Sequence, residues 1–536
     1  QPYYKTTQQY SLNYKNTFND LHDVEALALW EWKETNTNWF MARRYYSTTS
    51  AIPELDRGDV DNMYNEGNSA VYKYGGLVGR LNYVYAGKYM AEFSFRYDGS
   101  YKTAPDKRWG FFPAVSAGWR ISEEQFMKDL VPQMDNLKLR ASWGSIGNDS
   151  QLNASQFVSG WQFEDRFILG GAGNSSASIT NGMKEANLAN PNITWYKVMT
   201  TNVGLDGSFW GGKLSFEFDY FYRKTTGYPA TRNTSLPTTS GIPLPQENLN
   251  SSDNRGFELS LGTVQRIGNV NLQIKGNVAY AREKDLYKEQ ALPLNQYKNW
   301  RDNGAYRWKN VTWGYEHIGQ FQSYDEIYNS PIQDGKGNSS LRPGDIKYKD
   351  LNGDGLIDAN DEKVIGKGTF PDLNFGLTLA ADWKGFDVNI LFQGASNYTQ
   401  VLNALTSPFR GPGEGNGFRV WMDSWHKADY NDPDSEWVPG KFPSLRIEGN
   451  DNNSKKSTYW TTDAYYVRLK SIEIGYTIPK NLLSKVGIEH LRVYANAYNP
   501  LTITNVKYTD PEAIEGWQSF YYPQLKVYSF GVNVSF

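Results

Sequence analysis

The sequence predicts an all-β fold built as a large antiparallel transmembrane β-barrel. Three observations carry that reading: alternation of apolar and polar residues over stretches of membrane-crossing length, a heavy load of aromatic side chains, and connections that alternate between short and long. Aromatics make up 15% of the 536 residues, with 38 Tyr, 26 Phe and 18 Trp. Amphipathic rings settle at the two lipid–water interfaces of a membrane barrel, whereas a water-soluble domain seldom carries so many. Mean hydropathy is −0.64. Barrel strands are apolar on one side only, so a polar average is what they produce. No run of about 18 apolar residues occurs, so no membrane-spanning helix is expected.

In chain order, the alternation is clear where Tyr89, Ala91, Phe93, Phe95 and Tyr97 interleave with Met90, Glu92, Ser94 and Arg96. It returns where Leu214, Phe216, Phe218, Tyr220 and Tyr222 interleave with Ser215, Glu217, Asp219, Phe221 and Arg223. Leu491, Val493, Ala495 and Ala497 alternate with Arg492, Tyr494, Asn496 and Tyr498. The last stretch puts Tyr528, Phe530, Val532, Val534 and Phe536 on one face, with Val527, Ser529, Gly531, Asn533 and Ser535 on the other. A soluble sandwich or propeller would also alternate, but its strands average roughly 5–6 residues. These stretches reach the roughly 9–11 residues of a tilted membrane crossing, with charge on the face that a wet lumen would bathe.

Short connections are expected at 86–88, 208–212, 265–269 and 384–385, and long ones at 147–195, 225–253, 283–372, 397–462 and 500–525. Short periplasmic turns and long outer loops are the barrel rule. Counting back from Phe536 then puts the C-terminus in the periplasm and the long loops outside the cell. Residues 122–136 and 479–489 are long for turns, and each is expected to hold a short helix. The pattern yields about 15 strands, all belonging to one barrel portion over residues 1–536.

Composition also excludes. Lys plus Arg number 55 and Asp plus Glu 58, a formal charge of −3, so no basic field invites nucleic acid. With no cysteine there are no disulfides, no thiolate metal sites and no lipid-modified cysteine. Gln1-Pro2-Tyr3-Tyr4 carries no basic or apolar leader pattern, so a signal peptide is expected upstream or already removed. His22, His317, His426 and His490 are scattered without metal-ligand spacing. The carboxylate pairs Glu123-Glu124 and Asp361-Glu362 fall in turns, and no nucleophile, zinc or nucleotide motif is present. No enzymatic chemistry is expected.

One motif does imply a ligand. Asp350, Asn352, Asp354, Asp358 and Asp361 place side-chain oxygens at loop positions 1, 3, 5, 9 and 12. Gly355 stands at position 6, where the loop must turn sharply, and Leu356 can offer a carbonyl at position 7. This is an EF-hand-like pattern with Asp replacing the usual Glu at position 12. A structural Ca²⁺ is expected on Asp350, Asn352, Asp354, Leu356, Asp358 and Asp361. Two aromatic groups in the long loops, Trp421, Trp425, Trp437 and Trp460, then Trp517, Phe520, Tyr521 and Tyr522, suit stacking on a sugar, packing within the loops, or contact with another protein.

Ordered blocks along most of the chain resemble the SusC/RagA family. They include Gly79-Arg80-Leu81-Asn82-Tyr83, Arg96-Tyr97-Asp98-Gly99-Ser100, Arg108-Trp109-Gly110-Phe111-Phe112-Pro113 and Leu137-Lys138-Leu139-Arg140-Ala141-Ser142-Trp143-Gly144. Asn254-Arg255-Gly256-Phe257-Glu258, Arg342-Pro343-Gly344-Asp345, Pro371-Asp372-Leu373-Asn374-Phe375-Gly376 and Val467-Arg468-Leu469-Lys470-Ser471 continue the series. The chain departs slightly at Asn499-Pro500-Leu501, where the family often has Asn-Leu. The resemblance implies a TonB-dependent importer in the outer membrane of Bacteroidetes-type bacteria. Its barrel has ~22 strands in all. The implied partners are a SusD-like lipoprotein lid, the TonB–ExbB–ExbD complex and an oligosaccharide or, in some members, a peptide; lid-bearing pairs can double into a dimer. The implied plug domain, TonB box and first strands have no counterpart in this chain. A passive porin or surface adhesin is the alternative of another class.

Overall fold

The computed structural model describes residues 3–44, 54–57, 63–154, 156–169, 178–233, 244–293, 295–402, 405–406, 417–446, 451–483, 487–513, 522 and 524–536. The chain opens with β1 (Tyr3–Phe18), β2 (His22–Arg44), β3 (Met63–Tyr85), β4 (Tyr89–Ser100), β5 (Trp109–Arg120) and β6 (Met134–Asn148). A loop hairpin of β7 (Gly160–Leu169) and β8 (Ser178–Asn187) follows. Next come β9 (Tyr196–Phe209), β10 (Leu214–Thr231), β11 (Gln246–Ile267) and β12 (Val270–Tyr287). Four short loop strands, β13 (Val311–Gly314), β14 (His317–Gln320), β15 (Ile346–Tyr348) and β16 (Lys363–Lys367), precede β17 (Leu373–Trp383) and β18 (Phe386–Val401). After the loop pair β19 (His426–Lys427) and β20 (Trp437–Val438) come β21 (Thr461–Thr477), β22 (His490–Thr504) and β23 (Val527–Ser535).

The wall is one 15-stranded sheet in which every strand pairs with its sequence neighbour once the loop strands are set aside. All of these pairings are antiparallel, as in Tyr220 opposite Phe257 and Phe257 opposite Tyr280. The expected antiparallel wall and its number of strands are both found. Short turns join β1 to β2, β3 to β4, β5 to β6, β9 to β10, β11 to β12, β17 to β18 and β21 to β22; every other connection between wall strands gathers at the opposite end. The two long turns hold the expected short helices, at Gln125–Leu130 and Lys480–Leu483.

The faces divide as the alternation requires. On the apolar face, rings pair across strands near the short turns, with Tyr85–Tyr89 centroids 6.3 Å apart, Trp383–Phe386 6.3 Å and Phe386–Tyr476 4.5 Å. That is the aromatic girdle of a membrane interface. On the polar face, ion pairs tie strands together. Arg140 of β6 reaches Asp206 of β9 at 2.8 Å and Asp219 of β10 at 2.6 Å. Arg492 of β22 similarly holds Glu473 of β21 at 2.7 Å and Asp387 of β18. Gly204 lies under the Arg140 guanidinium, where a Cβ would come within 2.5 Å of it. The small residue is what lets Arg140 lie flat against the wall.

The strands run longer than the alternation indicates. Expected loop 225–253 shrinks to 232–245, because β10 continues to Thr231 and β11 begins at Gln246. The added lengths, such as Lys224-Thr225-Thr226 against Asp253-Ser252-Ser251, are polar on both faces. Above the hydrocarbon layer both faces meet water, so the ladder persists while the alternation that reveals it stops. β2 and β3 reach 23 residues each for the same reason, about twice a membrane crossing.

The sheet has two edges, β1 and β23, each paired on one side only among the described residues. An unpaired edge does not survive in lipid, so both need ladder partners for the wall to close. Deleting residues 534–536 removes two rungs, Val534 with Leu491 and Ser535 with His490, and the Phe536 ring. Outer-membrane abundance of the full-length protein is expected to fall several-fold, measured by membrane fractionation; unchanged abundance would contradict it.

Candidate functional site

The long connections do not merely join strands. Residues 311–372, 417–446 and 451–460 fold together above the wall. Their apolar centre is Ile346, Tyr348, Ile357, Leu405, Trp421, Phe442 and Trp460, and a second cluster holds Phe321, Ile327 and Leu341. This accounts for the loop tryptophans: of the expected alternatives, packing within the loops holds for three of them. Trp421, Trp425 and Trp460 are 4%, 5% and 1% exposed, so they pack the loop interior and offer no face to a sugar or a partner. Trp437 is half-buried under the Lys427 ammonium, 5.1 Å from the ring centre. Of the second aromatic group, Trp517, Phe520 and Tyr521 lie outside the described residues, while Tyr522 is exposed.

The two loop halves are joined by a buried polar network centred on Asp345, the last residue of the Arg-Pro-Gly-Asp block. Asp345 is fully buried. It accepts from the Arg342 backbone N–H at 2.9 Å, Asn453 Nδ2 at 2.8 Å and Ser444 Oγ at 3.3 Å, and pairs with Arg446. Burial pushes the Asp345 carboxyl above its ordinary range and the Arg446 guanidinium below its own; each opposes the shift of the other. Asn453 Oδ1 accepts from the Ile346 N–H at 2.9 Å and its carbonyl from Trp460 Nε1 at 2.7 Å. Tyr348 Oη donates to the Asn452 carbonyl at 2.7 Å, and Gln333 Nε2 to Asn452 Oδ1 at 3.0 Å. Composition gives no hint of this node. Its one trace in the sequence is Gly344, whose φ of +89° and contact with the Trp425 ring leave no room for a side chain.

The acidic loop hangs on this unit. Gly355 has φ +80°, the sharp turn that position 6 requires. Asp350 accepts from the Gly353 and Gly355 amides at 2.6 and 2.9 Å, Asp354 from Leu356 at 2.8 Å and Asn352 from Asp354 at 3.0 Å. Asp358 caps the turn Ala359–Asp361, and the buried Asp361 closes the loop by accepting from Leu351 at 2.8 Å and Asp358 at 2.9 Å. The amide of Gly355, ahead of that of Gly353, holds the Asp350 carboxyl below its usual range, so it is anionic at neutral pH. Ile357 anchors the loop in the apolar centre and pairs with Ile332, donating to its carbonyl at 2.8 Å. The expected residues are thus brought into one loop, its donor set all oxygen. Their carboxylates point at loop amides, and among the described residues no three His, Cys, Asp or Glu groups converge as a metal cluster. Each amide uses one of about two lone pairs on an oxygen, so acceptor capacity remains for a hard cation.

Beside the loop, a cleft of about 1150 Å³ runs between Asp358, Lys455, Arg342 and Tyr324. The last long connection is pinned separately. Arg468 of β21, 1% exposed, reaches Asp510 at 2.7 Å and Glu512, while Tyr398 Oη donates to the Pro511 carbonyl at 2.7 Å. The site is a set of folded loops bolted to one end of a polar-lined wall. Asp345→Ala is expected to loosen it, since removing one partner of a buried ion pair costs about 3–5 kcal/mol. In the full-length protein, residues 417–446 should become sensitive to limited proteolysis while strand content by circular dichroism is unchanged; equal protease resistance would refute the assignment.

The family described as TonB dependent receptor-like, beta-barrel matches residues 1–500. TonB-dependent receptor P3 of Formosa agariphila is 28% identical over 560 residues, covering 100% of this chain and 53% of its own length. TonB-dependent receptor SusC of Bacteroides thetaiotaomicron is 26% identical over 471 residues, 85% of this chain and 43% of its own. Among solved structures, the RagAB peptide transporter has a TM-score of 0.74 at 22% identity, over 100% of this chain and 56% of that one; the likeness is of fold. The chain spans about half the length of the curated relatives it matches. Together with the meander wall and its alternating connections, the match across residues 1–500 makes this chain a member of the TonB dependent receptor-like β-barrel family, of the SusC/RagA type, and an outer-membrane β-barrel.

Proposed function

We propose that this chain is the wall and outer-loop portion of a TonB-dependent importer that carries oligosaccharides across the outer membrane. The observation that carries the reading is the folded loop assembly at one end of a wall with ion-paired, polar inner faces. Connections this long and this well packed exceed what joining strands requires. A SusD-like lipoprotein would dock on the assembly as a lid and trap substrate above the lumen. A plug supplied by the rest of the protein would couple release to TonB–ExbB–ExbD. The long connections then face outward, the C-terminus faces the periplasm, and lid-bearing pairs can associate as dimers. Peptide cargo is the second reading, favoured by the fold shared with the RagAB peptide transporter. Neither reading asks for catalytic chemistry from this chain.

Mild-detergent purification of the full-length protein from its native membrane tests the partnership. A surface lipoprotein should co-purify, and deleting its gene should abolish growth on the imported substrate. Recovery alone together with normal growth would overturn the reading, and mass spectrometry of co-purified ligand separates oligosaccharide from peptide.

Within the same proposal, Ca²⁺ would be held by Asp350, Asn352, Asp354, the Leu356 carbonyl, Asp358 and Asp361, at roughly 2.3–2.6 Å per oxygen. Its role would be to stiffen the loop whose Ile357 roots in the apolar centre. Asp350→Asn should weaken calcium binding in isothermal calorimetry by tenfold or more. No calcium heat at millimolar concentration in the unaltered protein would remove the ion from the account.

A further inference from the structure

We infer that the polar face of the wall carries a subsite for an anionic group of the ligand, a carboxylate or sulfate ester borne by an oligosaccharide. The inference rests on the importer reading and narrows its ligand class. A cleft of about 610 Å³ opens on the part of the wall nearest the long connections, formed by β9, β10, β11 and β12. Register puts Val198, Thr225, Ser252 and Asp285 in one row across these strands, and Thr200, Arg223, Asn254 and Glu283 in the next. Both rows lie on the face of Asp219 and its partner Arg140, which lines the lumen of a barrel.

The charges in this cleft do not balance. Its two carboxylates, Glu283 and Asp285, share a single ammonium, Lys309, at 2.6 and 3.1 Å. Two cations remain, Arg223 and Lys288, and among the described residues neither has a carboxylate within ion-pair distance. Elsewhere on the polar face, Arg80, Arg140 and Arg492 each meet an acidic residue, and the whole chain is slightly acidic. Lys138, Lys275 and Arg266 of the same face have no such partner among the described residues either; what sets Arg223 apart is that it lines a cleft together with a second unpaired cation, Lys288. Around it stand neutral hydrogen-bonding groups, Thr225, Ser251, Ser252 and Asn250, which suit sugar hydroxyls and add no charge. A guanidinium fork binds carboxylate or sulfate oxygens in pairs, and a lysine nearby supplies a second, adjustable charge. Arg223 sits within a strand paired on both sides, so its backbone is fixed before ligand arrives.

Calorimetry on the full-length transporter tests this with tetragalacturonate, a sulfated carrageenan tetrasaccharide and neutral cellotetraose, against wild type, Arg223→Gln, and Arg223→Gln with Lys288→Gln. At least one acidic oligosaccharide should bind at least tenfold more tightly than cellotetraose. That preference should shrink about tenfold in the single variant and vanish in the double, and weaken from ~50 to ~300 mM salt, over which the Debye length falls from about 14 to about 6 Å. Which acidic probe binds separates carboxylate from sulfate. Two outcomes overturn the subsite: equal binding of acidic and neutral probes, or an acidic preference that survives both substitutions. In those cases oligosaccharide still binds and the importer reading stands. Binding of peptides with none of the three sugars would overturn both.

Discussion

Every feature of the wall follows from one constraint: in hydrocarbon no backbone N–H or C=O can be left without a partner. An antiparallel ladder meets it only if each strand has neighbours on both sides, which is why the wall is a meander without crossovers. Once the backbone is fixed, the side chains have two faces to serve. The outer one is filled with Phe, Tyr and Trp because lipid asks for apolar surface and its boundary for amphipathic rings. The inner one keeps its charges because water fills the lumen. Even there several are paired across strands, as Arg140 is with Asp206 and Asp219. Those pairs lock register: a slip of one residue would carry Arg140 into lipid.

Beyond the membrane the constraint relaxes, and the chain uses a different one. The loop assembly is irregular, so its buried amides and carbonyls find side chains in place of a ladder. Asn452, Asn453 and Gln333 serve as that substitute backbone, each meeting main-chain groups of a distant segment. Asp345 orders them because a buried carboxylate accepts several donors at once. Aromatic bulk supplies the rest: Tyr459 and Trp460 meet edge to face at 4.6 Å, and Phe442 and Trp421 pack at 5.2 Å. A loop region built this way is rigid enough to present a defined surface, which a flexible connector is not.

Legibility in the sequence tracks the two regimes. Wherever one face meets lipid and the other water, alternation writes the strand into the sequence, and the membrane-depth stretches of β4, β10, β22 and β23 are readable there. Where water lies on both sides the writing stops, so β11 was read only from its family block and not from Gln246, where it begins. The sequence leaves the loop tryptophans open between surface contact and packing because nothing local distinguishes a Trp that packs beneath a loop from one that lies upon it. Burial there is decided by contacts over a hundred residues apart, such as Ile346 with Asn453. The acidic loop was legible because its spacing is local; what its oxygens hold is not written in that spacing.

The contrast between paired and unpaired cations has a physical basis in the height of the wall. An arginine on the inner face at membrane depth stands close to low-dielectric lipid, where an uncompensated charge is costly. Arg140 and Arg492 accordingly carry two carboxylates each. Arg223 stands nearer the long-connection end, on a strand flanked by polar residues on both faces, and an open charge there is solvated at little cost. Structural demand therefore accounts for the doubly paired Arg140 and Arg492 and makes no such demand on Arg223. A charge that folding does not need to neutralise is free to be neutralised by something that arrives.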